Sequence, residues 1–194
     1  MRLARLLAGL GVVHMRVTGG EPLVRRGAVE FIAELKGVPG VQTVSMTTNG
    51  VLLPRFGQAL KDAGLDAVNI SLDTPDPSLA ALITGREGTA ACVLEGIETM
   101  TGLGVPVKLN AVLMRDTAAT LPELLRFAER GVPVRLIELM PMGCGRLEVG
   151  LGAGEALELM RRLYPDLRPS RGRLGFGPAH YYESARLKAP VGII

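Results

Sequence analysis

Cysteine is almost missing from this chain. Cys92 and Cys144 are the only two in 194 residues, and neither has a second cysteine two to four positions away. That excludes a disulfide framework and any ligand motif built on closely spaced cysteines, leaving two isolated thiols that read as reduced and buried. His14 and His180 have no neighbours at metal-ligand spacing and read as ordinary surface or partly buried histidines. No apolar run reaches membrane-spanning length. The opening MRLARLLAGLGVVHMR is too short for a signal peptide and has no cleavage site, so the expected compartment is the cytoplasm. A tract of one charge sign is absent too: the formal net charge is +3, but acidic and basic residues are interspersed. That balance suits anionic small ligands better than a nucleic-acid groove.

What is present is enough apolar material, 47% of residues, for one folded domain with a sizeable core. Five short runs rich in Val, Ile, Leu and Thr read as strands: Val12 to Val17, Val41 to Thr47, Ala67 to Leu72, Val105 to Leu113 and Val132 to Leu139. Between them, Ala28 to Lys36, Pro54 to Ala63, Ala90 to Leu103 and Leu121 to Arg130 carry apolar residues at three- and four-residue spacing and end near glycine, as helices do. Strand and helix in alternation imply right-handed crossovers and a parallel sheet, so the class is α/β, barrel-like or doubly wound. The helix pattern Leu3, Leu6, Leu7, Leu10 starts with no strand before it, which predicts an N-terminus cut inside a βα unit. After Gly143 the pattern changes to a glycine-rich connection, one helix from Gly154 to Leu163, and short pieces at 173–176, 181–183 and 191–194 that look like an appended hairpin. The expected division is 1–143 and 144–194.

Each strand run ends polar, and in parallel barrels the carboxyl ends of the strands build the site. The first gives Arg16, Thr18, Gly19, Gly20 and Glu21, and the second Thr47, Thr48, Asn49 and Gly50. The third gives Asn69, Ser71 and Asp73, the fourth Lys108 and Asn110, and the fifth Glu138, Met140 and Met142. Period two puts Arg16 with Thr18, Asn69 with Ser71 and Asp73, and Lys108 with Asn110 on common faces. A strand face serving only packing would carry Val, Ile or Leu there, so the pattern argues for a polar ligand. Singly the signals are weak: Gly19-Gly20 before Pro22 and Asn49-Gly50 are common turns. Lys108 has two readings, an ion pair with a carboxylate such as Asp73 or a ligand contact. Met140 and Met142 read alone as core filler.

Together, Arg16-Val-Thr-Gly-Gly-Glu-Pro-Leu23, Thr47-Thr-Asn-Gly50, Asn69-Ile-Ser-Leu-Asp73, Ile83-Thr-Gly-Arg86, Val107-Lys-Leu-Asn110, Ile137-Glu-Leu-Met-Pro-Met-Gly143 and Gly177-Pro-Ala-His-Tyr-Tyr182 resemble, in order and spacing, the molybdenum cofactor biosynthesis protein A (MoaA) family of radical SAM enzymes. The resemblance implies a partial (βα)6 barrel of the TIM-like type with its first strand missing, followed by a short C-terminal α+β extension. It implies GTP 3',8-cyclase activity: a 5'-deoxyadenosyl radical from S-adenosylmethionine takes hydrogen from C3' of GTP, and the new radical attacks C8 of guanine. Thr18, Gly19, Gly20, Glu21, Ser71 and Met142 match S-adenosylmethionine contacts, and Arg16, Thr47 and Lys108 match GTP contacts. The implied partners are GTP and S-adenosylmethionine, with a homodimer as in the family and neither nucleic acid nor membrane.

The chain departs from the family at the iron–sulfur clusters. The family's C-x3-C-x2-C loop and its second cysteine triad are both absent, and two isolated cysteines cannot hold a [4Fe–4S] cluster. Three readings stand beside a working cyclase: an inactive remnant or nucleotide-binding module, another radical SAM enzyme that shares the Gly-Gly-Glu-Pro loop, and an unrelated phosphate-binding barrel. The last would carry a Gly-rich phosphate loop that this sequence lacks.

Overall fold

The computed structural model describes residues 1–140, 149–172 and 177–194. Its chain divides into two compact units: Met1–Ser71 with Ala91–Val107, and Leu72–Ala90 with Lys108–Ile194.

In the first unit, helix α1 (Arg2–Gly9) precedes strand β1 (His14–Val17). Helix α2 (Ala28–Lys36), strand β2 (Thr43–Thr48), helix α3 (Leu53–Asp62) and strand β3 (Ala67–Ser71) follow. The three strands are parallel, in the order β1-β2-β3. The register aligns Arg16 with Ser45 and Thr47 with Asn69. Val44, Met46, Val68 and Ile70 point to one side and are fully buried. Buried with them, Leu53 and Leu60 of α3 and Ile32 of α2 complete an apolar layer. The helix α5 (Thr89–Gly102), which belongs to this unit from Ala91 onward, closes on α3 at Gly57. At the amino ends of the strands, the Lys36 ammonium reaches both Asp66 carboxylate oxygens at 2.7 Å and the Gln42 carbonyl at 2.8 Å. The same carboxylate accepts the Val44 N–H at 2.6 Å, which ties α2, β2 and the start of β3 together.

In the second unit, helix α4 (Pro77–Thr84) leads the chain toward α5, and strand β4 (Val107–Leu113), assigned to this unit from Lys108, pairs in parallel with β5 (Val134–Glu138). Helix α6 (Leu121–Glu129) joins those two strands and covers them with Leu124, Leu125 and Ala128. After α7 (Ala153–Leu163), the strands β6 (Arg168–Pro169), β7 (His180–Glu183) and β8 (Val191–Ile193) complete the unit. β8 runs parallel to β5, while β7 is antiparallel to both β8 and β6. Of the short pieces expected after α7, 181–183 and 191–194 fall in β7 and β8 and continue the sheet from β5, while 173–176 lies outside the described residues.

All five strands lie within two residues of their expected ends. The helix α4 is the element that periodicity overlooks. Leu82 and Ile83 are exposed, so it has no clean apolar face. Its signals are punctuation: the Asp76 side chain accepts the Leu79 N–H at 2.8 Å, Pro77 opens the first turn, and Gly85 leaves it at φ +68°. Cys92, on α5, is half-buried and free, more open than the buried thiol the sequence suggests, while Cys144 lies outside the described residues.

A polar lock fastens the last third of the second unit. The Tyr164 hydroxyl, after α7, donates to Glu129 Oε1 at 3.0 Å, and Arg186 donates to the same oxygen at 2.8 Å while its guanidinium lies over the Tyr164 ring. Burial and the neighbouring Glu129 carboxylate push the phenol up to about 12. A folded value above the unfolded one, near 10, favours the protonated phenol in the native state. This contribution is complete below pH 10 and is lost as the pH rises toward 12. Stability measured by urea unfolding should therefore fall between pH 10 and 12, and Tyr164→Phe should flatten that slope.

A second test lies in the first unit. A Cβ on Gly96 would stand 2.7 Å from the Gly50 carbonyl oxygen and 3.0 Å from Leu53 Cβ. Helix propensity alone would make Gly96→Ala stabilising by about 1 kcal/mol. The clash is with backbone, so the expected outcome is instead a loss of about 1 to 3 kcal/mol in denaturant unfolding.

Candidate functional site

The strands of the first unit have two unlike faces. Opposite the apolar layer, His14 and Arg16 on β1, Thr43, Ser45 and Thr47 on β2, and Asn69 and Ser71 on β3 share one side, as the register and period two require. Parallel strands covered on both sides normally read as continuous apolar runs; here the second face is polar, and His14, Arg16 and Ser71 on it are exposed. His14 Nδ1 and Thr43 Oγ1 are 2.8 Å apart, and the Arg16 side chain is exposed, its Nε reaching Ser45 Oγ at 3.4 Å.

Where β1 and β2 end, one carboxylate organises both loops. Glu21 Oε1 accepts from the Thr48 hydroxyl at 2.7 Å and from the Leu23 N–H at 3.1 Å, and its Oε2 accepts the Asn49 N–H at 2.7 Å. Thr48 in turn accepts the Gly50 N–H at 3.1 Å. Gly50 sits at φ +83°, and a Cβ there would stand 2.8 Å from Ile70 Cγ2, so only glycine serves this turn. Gly19 and Gly20 are open by contrast: a Cβ built on either meets nothing within 4 Å. The 18–21 loop is thus anchored at Glu21 and leaves backbone carbonyls and N–H groups accessible just before it.

The second unit repeats the division of faces. Leu109, Ala111, Val134 and Leu136 are buried against α6, while Lys108, Asn110, Arg135 and Ile137 lie on the other side. The Lys108 ammonium lies 6.0 Å from the centre of the Tyr181 ring, and Arg135 Nη2 donates to the Tyr181 hydroxyl at 3.1 Å. The Asp73 carboxylate accepts the Val112 N–H at 2.7 Å; burial pushes it above its ordinary value, and this hydrogen bond opposes the shift.

Arg16, Ser45, Thr47, Asn69 and Ser71 therefore share a face of the first unit, with Thr18, Gly19, Gly20 and Glu21 in the loop beyond it. Lys108 stands on the polar face of the second, and Met142 lies outside the described residues. Thr48 and Asn49 were expected at the polar end of the second strand, but their bonds to Glu21 were not legible. Arg135 went unremarked because a single arginine within an apolar run, Val134-Arg-Leu-Ile137, resembles an edge residue; its alternation with Ile137 was the available signal.

The model of the Radical SAM superfamily matches residues 1–128. The chain belongs to the radical SAM superfamily. Proteins named GTP 3',8-cyclase are similar to it over practically its whole length. The one from Pelotomaculum thermopropionicum is 39% identical over 99% of this chain, and that from Heliobacterium modesticaldum 41% over 100%. The chain spans 61% of the length of each of those relatives. Among solved structures, Streptococcus suis SuiB matches 84% of this chain and 38% of its own with a TM-score of 0.66 at 18% identity. Native anSMEcpe with bound AdoMet matches 83% of this chain and 48% of its own at 0.64 and 18%. The fold is that of the radical SAM enzymes, an α/β architecture of the partial-barrel type expected from the sequence. No described helix is long and apolar enough to cross a membrane.

For this radical SAM chain, the anchor at Glu21 gives a direct test. Glu21→Ala leaves the Thr48 hydroxyl and two backbone N–H groups without their acceptor, and should cost about 2 to 3 kcal/mol in thermal or denaturant unfolding. A loss below about 0.5 kcal/mol, the range of unconnected surface substitutions, would show that the carboxylate does not organise the loops.

Proposed function

We propose that this chain carries the substrate-binding scaffold of a GTP 3',8-cyclase, the lyase that converts GTP to (8S)-3',8-cyclo-7,8-dihydroguanosine 5'-triphosphate in the first step of molybdenum cofactor biosynthesis. The observation that carries this reading is the 39 and 41% identity to such cyclases across 99 and 100% of the chain. The two polar strand faces support it, because they bear the cations and hydroxyls that a triphosphate and a ribose need.

S-adenosylmethionine fits the residues present. The open Gly19–Gly20 backbone, held in place by Glu21, suits a methionine ammonium and carboxylate, and the exposed Ser71 hydroxyl stands at the end of β3. In this reading Thr18, Gly19, Gly20, Glu21, Ser71 and Met142 hold that cofactor, which supplies the radical chemistry when bound. Glu21 acts by fixing the loop, since both its oxygens already accept hydrogen bonds. Arg16, Thr47 and Lys108 orient GTP, and excluding water from such a face raises the worth of each charge. Residues 1–143 form the barrel portion and 144–194 the extension. The cytoplasm as compartment and association into a homodimer belong to the same proposal.

A [4Fe–4S] cluster does not fit the residues present. The sequence has two cysteines, and among the described residues no group of three or more His, Cys, Asp or Glu could hold a metal ion. Three thiolates per cluster would have to come from outside these 194 residues. That observation favours a second reading for the chain by itself, a nucleotide-binding module that does not initiate the radical reaction. In both readings GTP binds. Isothermal titration of the chain with GTP should give a measurable affinity, and Lys108→Ala should weaken it by about 1.5 to 3 kcal/mol, the worth of a charge-assisted hydrogen bond. Absence of any heat with the wild-type chain would remove GTP from both.

A further inference from the structure

Among the described residues, five polar side chains are buried: Thr48, Asn69, Thr74, Thr117 and Ser184. Four of them are bonded to the protein itself. Thr48 donates to Glu21 Oε1 and accepts the Gly50 N–H, and Thr74 Oγ1 lies 2.9 Å from Thr120 Oγ1. Thr117 donates to the Met114 carbonyl at 3.2 Å, and Ser184 donates to Asp166 Oδ1 at 2.7 Å. Asn69 on β3 is the exception. It is 8% exposed, and among the described residues its side-chain amide has no hydrogen-bond partner.

Buried polar groups are nearly always paired, and asparagine is also among the residues that strands disfavour. Two local costs therefore meet at one position, and no hydrogen bond of the side chain offsets them. The partnerless polar atoms that are sealed from solvent lie elsewhere, at Asn110 Oδ1 and Arg135 Nε. Both amide atoms of Asn69 are thus open to a small group, although little of the residue is exposed. They open on the polar face of the first unit: Asn69 pairs in register with Thr47, and its neighbours Val68 and Ile70 are fully buried on the apolar side. Ser71, two residues on, shares the face of Asn69 and is exposed.

A primary amide offers an acceptor and two donors. It pairs with a group that both donates and accepts, such as a ribose diol or the amide edge of a base, and has no charge with which to attract a phosphate or a carboxylate. We propose that Asn69 is a specificity-determining residue, its amide binding the nucleoside portion of the ligand that occupies the polar face of the first unit. The inference rests on the nucleotide reading above and deepens it, by naming a residue that reads the uncharged part of the ligand. The same chemistry is present in GTP and in S-adenosylmethionine, and titration distinguishes the two.

The experiment compares the chain with its Asn69→Leu, Asn69→Thr and Ser184→Ala variants by thermal melting and by calorimetric titration with GTP and with S-adenosylmethionine. Asn69→Leu keeps the shape and removes the amide. It should hold or raise the melting temperature, because an unsatisfied polar group is gone, and should raise the Kd of one ligand at least about fivefold. The ligand affected identifies the source. The salt dependence of binding should stay as in the wild type, since no charge is removed. Asn69→Thr, which supplies one hydroxyl on a residue that suits strands, should recover part of the affinity; if Asn69→Leu does not fold, this variant carries the test with a rise of about threefold. Ser184→Ala is the contrast, breaking bonds that the fold itself makes, and should lower the melting temperature with both Kd values unchanged. Affinity lost together with a lower melting temperature in both Asn69 variants would mark the residue as structural and overturn the proposal. GTP binding that responds to Lys108→Ala but changes less than twofold in the Asn69 variants, with S-adenosylmethionine equally unaffected, would also overturn it and leave the nucleotide reading standing. A chain that binds neither ligand would overturn both.

Discussion

A buried β-strand must satisfy its backbone along its edges and its side chains on both faces, and everything functional here depends on those faces being unlike. In β1 to β3, and again in β4 and β5, one side is a sheet of Val, Met, Ile and Leu that helices cover, and the other carries Arg, Lys, Ser, Thr and Asn. Burying the apolar side supplies the stabilisation, on the order of 1.5 to 3 kcal/mol for each large side chain removed from water. The polar side contributes no such term: Arg16 on it is exposed, and Lys108 and Arg135 are only half-buried.

The loops at the strand ends are organised by the same economy of polar groups. One carboxylate, Glu21, accepts three hydrogen bonds from the ends of two successive strands, and Thr48 relays the contact to the turn at Gly50. The glycines then separate into two kinds. Gly50, Gly96 and Gly192 are required by close approach, to Ile70, to the Gly50 carbonyl and to the Tyr181 ring respectively. Gly19 and Gly20 have open space around them, which suits a loop that closes on a ligand and not on its own protein.

At the opposite ends of the strands, Asp66 and Lys36 perform the structural counterpart, joining a helix to two strands through a carboxylate and an ammonium with no role on the polar face. Such a separation, chemistry at the carboxyl ends and fastening at the amino ends, is what the parallel α/β architecture favours.

The sequence by itself determined the α/β class, the five parallel strands, their polar carboxyl ends and the family, because each rests on local periodicity or on motifs within a few residues of one another. It also determined that three cluster thiolates cannot come from this chain, which is a matter of counting. The tertiary structure alone decided that the late hairpin continues the sheet from β5 and that Glu21 accepts from the ends of its own loops. It alone brought Asn110, Arg135, Gly192 and Tyr181 into one row, residues separated by up to 71 positions, taking 110 from 181. The physical reason is shared: register between distant strands is set by which faces can be buried together, and that is a property of the packed sheet that no window of the chain contains.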